Sequence, residues 1–338
     1  MDRRRFLQLS ASGVLVSAEA SLFGASRFAR VGSGGATQTI AFGSCNDSLK
    51  DQSFWRHIAR DAPDLWIWLG DSIYADDLTG PERRSLYQDL LWAPGYQNFR
   101  SQTPVIGTWD DHDYGANNAD CNFPHKLESK RDLLDFLEVP RGAEVWGREG
   151  VYQSFSIGQP GQKVLIVLVD LRYHMDKRRH QLLGEEQWAW LEQEIQATSA
   201  NLVLIGSSLN LSSPYSGFGL EGWDEYPGER RRLYELLSGK GLPTIILSGD
   251  RHYAEVSRIT LPSGLPLYEV MSSGLTHTFG LHLPNPGALS RRVVSKNYGL
   301  LKIEWTQSGP LVRMQLKSTE EYALYREHVA DFRSLRPC

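Results

Sequence analysis

A short apolar run ending in glycine, serine or aspartate recurs along this chain, and it limits the possible folds more than any other feature. Thr39-Ile40-Ala41-Phe42 runs into Gly43-Ser44-Cys45-Asn46, and Leu65-Trp66-Ile67-Trp68-Leu69 into Gly70-Asp71-Ser72-Ile73-Tyr74. Val105-Ile106-Gly107-Thr108-Trp109 leads to Asp110-Asp111-His112-Asp113, and Val164-Leu165-Ile166-Val167-Leu168-Val169 to Asp170-Leu171-Arg172. Leu202-Val203-Leu204-Ile205 precedes Gly206-Ser207-Ser208-Leu209-Asn210, and Thr244-Ile245-Ile246-Leu247 precedes Ser248-Gly249-Asp250-Arg251-His252. Leu267-Tyr268-Glu269-Val270-Met271 is a further run. Runs this short and this apolar read as strands buried on both faces.

Helical patterns lie between them. Residues 184–195 put Trp188, Leu191 and Ile195 on one face, and Gly228 to Leu237 is basic and amphipathic. The fold class is therefore α/β, a sheet covered by helices or by a second sheet. Near the end, residues 299–305 and 310–316 alternate around a short turn and predict a hairpin. Residues 318–335 are charged and predict a helix lying across the surface. No linker stands out after residue 37, so residues 36–317 read as one catalytic domain and 318–338 as a helical tail packed on it.

Composition narrows the function classes. With 338 residues, 41% hydrophobic, the chain can bury a large core. A net charge of −4 offers no basic surface for nucleic acid. Cys45, Cys121 and Cys338 are too few, and odd in number, for a disulfide scaffold. The segment Arg3-Arg4-Arg5-Phe6-Leu7-Gln8, followed by a soft apolar stretch from Leu9 to Ala25, is close to the twin-arginine export signal. Residues 1–35 thus read as signal peptide and linker, with the twin-arginine machinery as a partner. The expected location is periplasmic or extracellular, with no transmembrane anchor after cleavage. That route exports folded proteins, often with a cofactor inserted, which fits a metal acquired beforehand.

In open α/β sheets ligands bind outside the carboxyl ends of the strands. Each residue there has an ordinary explanation: aspartate caps helices, and a lone cysteine is usually a small buried hydrophobe. The joint pattern is less ordinary, because metal-binding residue types follow at least four of the strands. Carboxylates crowded in a crevice raise one another's pKa, and cations remove that cost. Mixed Asp, His, Asn, Cys and Tyr donors suit a two-metal centre, which activates water and clamps a phosphoryl group. Arg172 is then expected to bind a non-bridging phosphate oxygen. Within Thr108–Asp120, Asp111 and His112 are the functional candidates. Asp110 and Asp113 orient neighbours or cap the following turn, and Asn117, Asn118 and Asp120 belong to a loop.

Taken in order, Phe42-Gly43-Ser44-Cys45-Asn46, Gly70-Asp71-Ser72-Ile73-Tyr74-Ala75-Asp76, Trp109-Asp110-Asp111-His112-Asp113 and Ser248-Gly249-Asp250-Arg251-His252 resemble the alkaline phosphatase D (PhoD-like) family. That family sits among the calcineurin-like metallophosphoesterases related to purple acid phosphatases. The resemblance spans roughly residues 38–310. It implies a four-layer α-β-β-α sandwich with metals at the C-terminal ends of the strands. It also implies that Asp71 bridges two metals, that Tyr74 and Cys45 bind one of them as Fe³⁺, and that Asp111, Asp250 and His252 are ligands. A second ion with mostly oxygen donors fits Ca²⁺. Relatives carry a histidine ligand after the fifth strand; here Asn210 is left as its substitute. His112 matches the histidine that protonates the leaving group, and His277 could line the pocket.

The implied activity is metal-dependent hydrolysis of a small phosphate mono- or diester, by in-line attack of metal-bound hydroxide. Two rivals remain open. Gly70-Asp71-Ser72 also resembles the block of GDS-type serine esterases, with Ser72 as nucleophile, although no Asp-x-x-His pair stands near the C-terminus. The other rival is an exported metal-binding protein with a degenerate site.

Overall fold

The computed structural model describes residues 37–214, 220–279 and 284–333. The expected signal peptide lies outside the described residues.

Among the described residues, twelve strands form two sheets of six. The first sheet takes β1 (Thr37–Gly43), β2 (Leu65–Leu69) and β3 (Val105–Thr108), which run parallel to one another. β10 (Asn297–Thr306), β11 (Gly309–Ser318) and β12 (Leu324–Asp331) extend it antiparallel beyond β1. The second sheet has a parallel centre of β5 (Val164–Leu168), β6 (Leu202–Ser207), β7 (Thr244–Ser248) and β9 (Pro266–Ser272). Antiparallel β4 (Gln153–Ile157) and β8 (Ala254–Thr260) close its edges.

The period-two alternation of each strand decides the layers. Ile40, Phe42, Ile67 and Leu69 point inward and pack with Ile166, Leu168, Leu204 and Leu247 of the facing sheet. Ala41, Trp66 and Trp68 point outward, against residues of α1 (Trp55–Arg60), α2 (Gly80–Trp92), α3 (Pro94–Gln102) and α5 (Lys126–Phe136). The short α4 (Asp111–Tyr114) lies between α3 and α5 in the chain. On the other side Val167, Val203, Ile205 and Ile246 pack against Trp188, Leu191 and Ile195 of α6 (Glu185–Ala197) and Leu233 and Leu237 of α7 (Pro227–Lys240). The result is the four-layer α-β-β-α sandwich, and near-continuous apolar strands are what a sheet covered on both faces requires.

The C-terminal helix expected over residues 318–335 does not form. Leu324–Asp331 is instead the edge strand β12, paired antiparallel with β11. Glu327 explains why the sequence misleads. It accepts hydrogen bonds across the ladder from Gln315 (2.5 Å) and Arg313 (3.4 Å), so polar cross-strand pairs stand where apolar alternation would mark a strand. Charged side chains also protect a free sheet edge. The predicted hairpin of residues 299–316 is present as β10 and β11.

Candidate metal centre

The parallel strands of both sheets deliver their carboxyl ends to one place. β1 turns into Cys45, β2 into Asp71, β3 into Asp110 and Asp111, and β7 into Asp250 and His252. Four of these hold left-handed backbones: Cys45 at φ +58°, Asp71 at +48°, Asp250 at +70° and His252 at +55°. Such conformations cost non-glycine residues on the order of 1 kcal/mol each and gather at functional sites. Gly70 makes the approach possible: a Cβ there would lie 2.4 Å from that of Asp110.

A hydrogen-bond frame fixes these turns. The Asn46 amide donates to the Asp71 carbonyl at 2.7 Å, and its side chain donates to the Ser72 carbonyl at 3.0 Å. Asp113 Oδ1 accepts from the Ser72 amide (2.9 Å), the Ser72 hydroxyl (2.5 Å) and the Ile73 amide (3.3 Å), while its Oδ2 accepts from the Asp110 amide. Asp113 therefore ties the β2 turn to α4, the orienting role expected of it. The same geometry tells against Ser72 as an esterase nucleophile, since its hydroxyl faces this carboxylate and not a histidine base.

Asp71, Asp111 and His112 bring donor atoms within 4.8 Å of one another. Cys45 Sγ lies 3.5 Å from Asp71 Oδ2. The Tyr74 ring sits 4.2 Å from that of His112 and 5.1 Å from His277, and His277 sits 4.6 Å from His252. Asp71 Oδ1, Tyr74 Oη, Asp111 Oδ1 and His252 Nδ1 are all buried without a hydrogen-bond partner. An orphaned buried polar atom costs about 1–3 kcal/mol. All four belong to the ligand set expected from the sequence, and thiolate, phenolate, carboxylate and imidazole are cation donors. The residues present fit a metal.

The electrostatics agree. Burial pushes the Asp71 carboxyl well above its ordinary value, and neighbouring Asp111 adds to this. Asp250 rises to about 7, through burial and then, against the pull of Arg251, through Asp111. Burial and the nearby Asp71 raise the Cys45 thiol, and burial together with Cys45 raises Tyr74. Asp111 goes the other way: burial pushes it up, but Arg172 and His112 more than offset that. His112 reaches about 10, because its hydrogen bond to Asp76 and the charge of Asp71 outweigh burial. Both Asp76 oxygens lie 2.8 Å from His112 Nδ1. His252 and His277 fall to about 4, mainly through burial.

Two expected residues are placed elsewhere. Arg172 is fully buried, with Nε 2.6 Å from Asp110 Oδ1, Nη1 2.6 Å from Glu221 Oε2 and Nη2 3.7 Å from Asp111 Oδ1. A guanidinium enclosed by three carboxylates does not fit the phosphate-binding role. Asp170 is the cause, since its Oδ1 accepts from the Arg172 and Tyr173 amides and curls the chain inward. Asn210 caps its own turn, with Oδ1 accepting from the Ser213 amide at 2.8 Å and Nδ2 facing Met271 Sδ at 3.9 Å. Its carboxamide is engaged there and does not fit the substitute-ligand role.

The sequence reading also passed over three contributors. Asp76 fixes the His112 ring, Ser208 donates to Asp110 Oδ1 at 2.9 Å, and Glu221 pairs with Arg172. Asp76 stood inside a quoted motif. Glu221, which lies next to no strand end, carried no signal.

The model of the family described as PhoD-like phosphatase matches residues 152–313. That stretch holds Asp250, His252 and His277, while Cys45, Asp71, Tyr74 and Asp111 precede it. Alkaline phosphatase D of Bacillus subtilis (strain 168) is 22% identical over 280 residues, covering 65% of this chain and 47% of that protein. The chain thus spans about half the length of this curated relative. The solved structure of PhoD superposes with a TM-score of 0.66 at 18% identity, over 88% of this chain and 69% of that one. GAP50, described as the anchor in the inner membrane complex of Plasmodium, superposes at 0.59 with 13% identity, over 86% and 88%. Residues 152–313 thus match the PhoD-like phosphatase family, and the sandwich is the fold of PhoD.

Proposed function

We propose that this protein is a metal-dependent hydrolase of phosphate esters. The observation that carries the reading is the convergence of buried, unpartnered donors from Asp71, Tyr74, Asp111 and His252. The family description, phosphatase, points the same way.

Cys45, Asp71, Tyr74, Asp111, Asp250 and His252 would hold the cations. The thiolate and phenolate donors favour Fe³⁺ on the Cys45–Tyr74 side, and the carboxylates favour a hard ion such as Ca²⁺ on the other. Bound there, cations supply Lewis acidity towards phosphoryl oxygen and water. The chain's own part is to hold protons and charges in place. Asp76 engages His112 Nδ1, which leaves Nε2 as the nitrogen facing substrate. The hydrogen bond to Asp76 raises that imidazole above its ordinary pKa, which favours the protonated form that would donate to the departing alkoxide. His277 is uncharged at neutral pH and lines the crevice beside Tyr74 and His252. Arg172 acts from behind, holding Asp110 and biasing Asp111 towards its ionised form. The substrate is a small mono- or diester. Export through residues 1–35 to the periplasm or the exterior belongs to the same reading.

Metal analysis of the purified protein, with its visible spectrum and a panel of phosphate mono- and diesters, tests this. A charge-transfer band lost in Tyr74→Phe is expected, together with hydrolysis abolished by chelator. A colourless protein holding only zinc would overturn the iron assignment. A metal-loaded protein that cleaves no ester would favour a non-catalytic role, as the fold shared with an anchor protein allows.

A further inference from the structure

We infer that Glu221 is a positioning residue which, with Lys177, holds Arg172 back from Asp111 and so keeps a donor oxygen of Asp111 free for a cation. The inference rests on the metal reading of the centre and goes beyond it, because Glu221 and Lys177 lie outside the ligand set.

Glu221 is 3% exposed and meets cations on two sides. Its Oε2 lies 2.6 Å from Arg172 Nη1, and its Oε1 2.6 Å from Lys177 Nζ. Its carbonyl accepts from Arg251 Nη2 at 2.5 Å, which anchors the backbone beside the Asp250–His252 turn. Lys177 stands on a surface turn closed by the Asp176–Gln181 bridge, and its side chain is 45% exposed. A chain of ion pairs thus runs from solvent to the centre.

At its inner end Arg172 Nε donates to Asp110 Oδ1, which also accepts from Ser208 Oγ. The remaining nitrogen, Nη2, is buried without a hydrogen-bond partner and sits 3.7 Å from Asp111 Oδ1. That oxygen is itself an unpartnered acceptor. A guanidinium and a carboxylate left to themselves close to about 2.8 Å and often pair through two hydrogen bonds. The gap persists because the planar fork is pinned by Asp110 on one edge and Glu221 on the other. Without the Glu221 charge, Arg172 is free to swing onto Asp111 and occupy the oxygen a cation needs. Groups that orient metal ligands from outside typically alter metal affinity by about 10–100-fold when removed.

The test uses the full chain. Cation affinity is measured by chelator competition with Ca²⁺ and with Zn²⁺, alongside the melting temperature of the chelator-treated protein. Glu221→Gln is expected to weaken cation binding about tenfold or more, with that melting temperature little changed. Lys177→Gln, a surface change, is expected to weaken it about two- to threefold by loosening Glu221, and it carries the test should Glu221→Gln misfold. Affinities within twofold of the parent, or a loss matched by an equal collapse of the chelator-treated protein, would overturn the role of Glu221 and leave the metal centre standing. A parent protein that binds neither ion would overturn both.

Discussion

Asp61 and Asp71 stand ten residues apart, their carboxylate side chains both almost fully covered, and the fold treats them in opposite ways. Asp61, just beyond α1, is saturated. It accepts from Lys317 Nζ at 2.5 and 2.7 Å, from Tyr298 Oη at 2.5 Å and from Tyr322 Oη at 2.7 Å. Asp71 has a thiol 3.5 Å from one oxygen and no partner on the other. It also sits on a left-handed backbone, while burial and Asp111 hold its carboxyl up. A saturated carboxylate serves the fold: it ties β10, β11 and the turn before β12 to α1. An unsaturated one, kept at a cost in strain and desolvation, is in place for a ligand. Burial alone does not mark a functional acid.

The sharpest way to break this contrast is Asp71→Asn. On the proposed reading, phosphate-ester hydrolysis should fall about a thousandfold, since a charged donor to the cations would be lost. The chelator-treated protein should melt higher, because one of several crowded carboxylates is gone. Steady-state rates and thermal melts check both, and a rate within tenfold of the parent would place Asp71 with Asp61 among the structural acids. The complementary change, Asp61→Ala, leaves Lys317 buried without its anion. Breaking a buried pair from one side costs about 3–5 kcal/mol. Urea titration should show a loss of that order, with activity per folded molecule unchanged.

The same contrast explains what was legible in the sequence. The parallel strands and the six strand-end donors stand out because burial on two faces forces continuous apolar runs and leaves chemistry at their ends, while the facing of two sheets was implied only by the family resemblance. Arg172 was legible as a residue but not as a role. Its position after β5 is local, while its partners Asp110 and Glu221 lie 62 and 49 residues away. Asn210 was misplaced for a related reason, as nothing local told that its carboxamide would cap Ser213. β12 was hidden by cross-strand charge pairs that look, in one dimension, like a helix surface. Asp61 carried no signal at all, its three partners lying 237 to 261 positions further on.

A smaller effect sharpens the proton-donor role proposed for His112. His112→Asn removes general-acid assistance, worth about a hundredfold. The loss should be greatest for esters with poorly acidic alcohols and slight for an activated aryl ester. The parent should lose activity on an alkaline limb where His112, held above its ordinary pKa by Asp76, deprotonates, and the variant should lack that limb. Equal losses on both kinds of ester would place His112 with the ligands.

The least change is expected in stability against pH, and it separates the two kinds of acid without any assay of catalysis. In chelator-treated protein the folded pKa of Asp250 is about 7, against an ordinary 3.8. Between those values the native state binds more protons than the unfolded chain, so stability falls as pH rises from about 4 to 7. Asp71, raised in the same direction, adds to the decline. His112 extends it: raised from 6.5 to about 10, it contributes stability that is complete below pH 6.5 and lost as pH climbs through 10. Bound cations reverse the lower limb, because they prefer ionised donors and their stabilisation grows as the carboxyls give up protons. Melting temperatures of chelator-treated protein should therefore drop by a few degrees between pH 4 and 7, and those with Ca²⁺ or Zn²⁺ should not. Asp250→Asn should flatten the chelator-treated slope, since it removes a buried carboxyl whose charge Arg251, 3.4 Å away, offsets only in part. A slope unaltered by Asp250→Asn would mean that the crevice tolerates that charge unaided, and the distinction between saturated and unsaturated acids would lose one of its members.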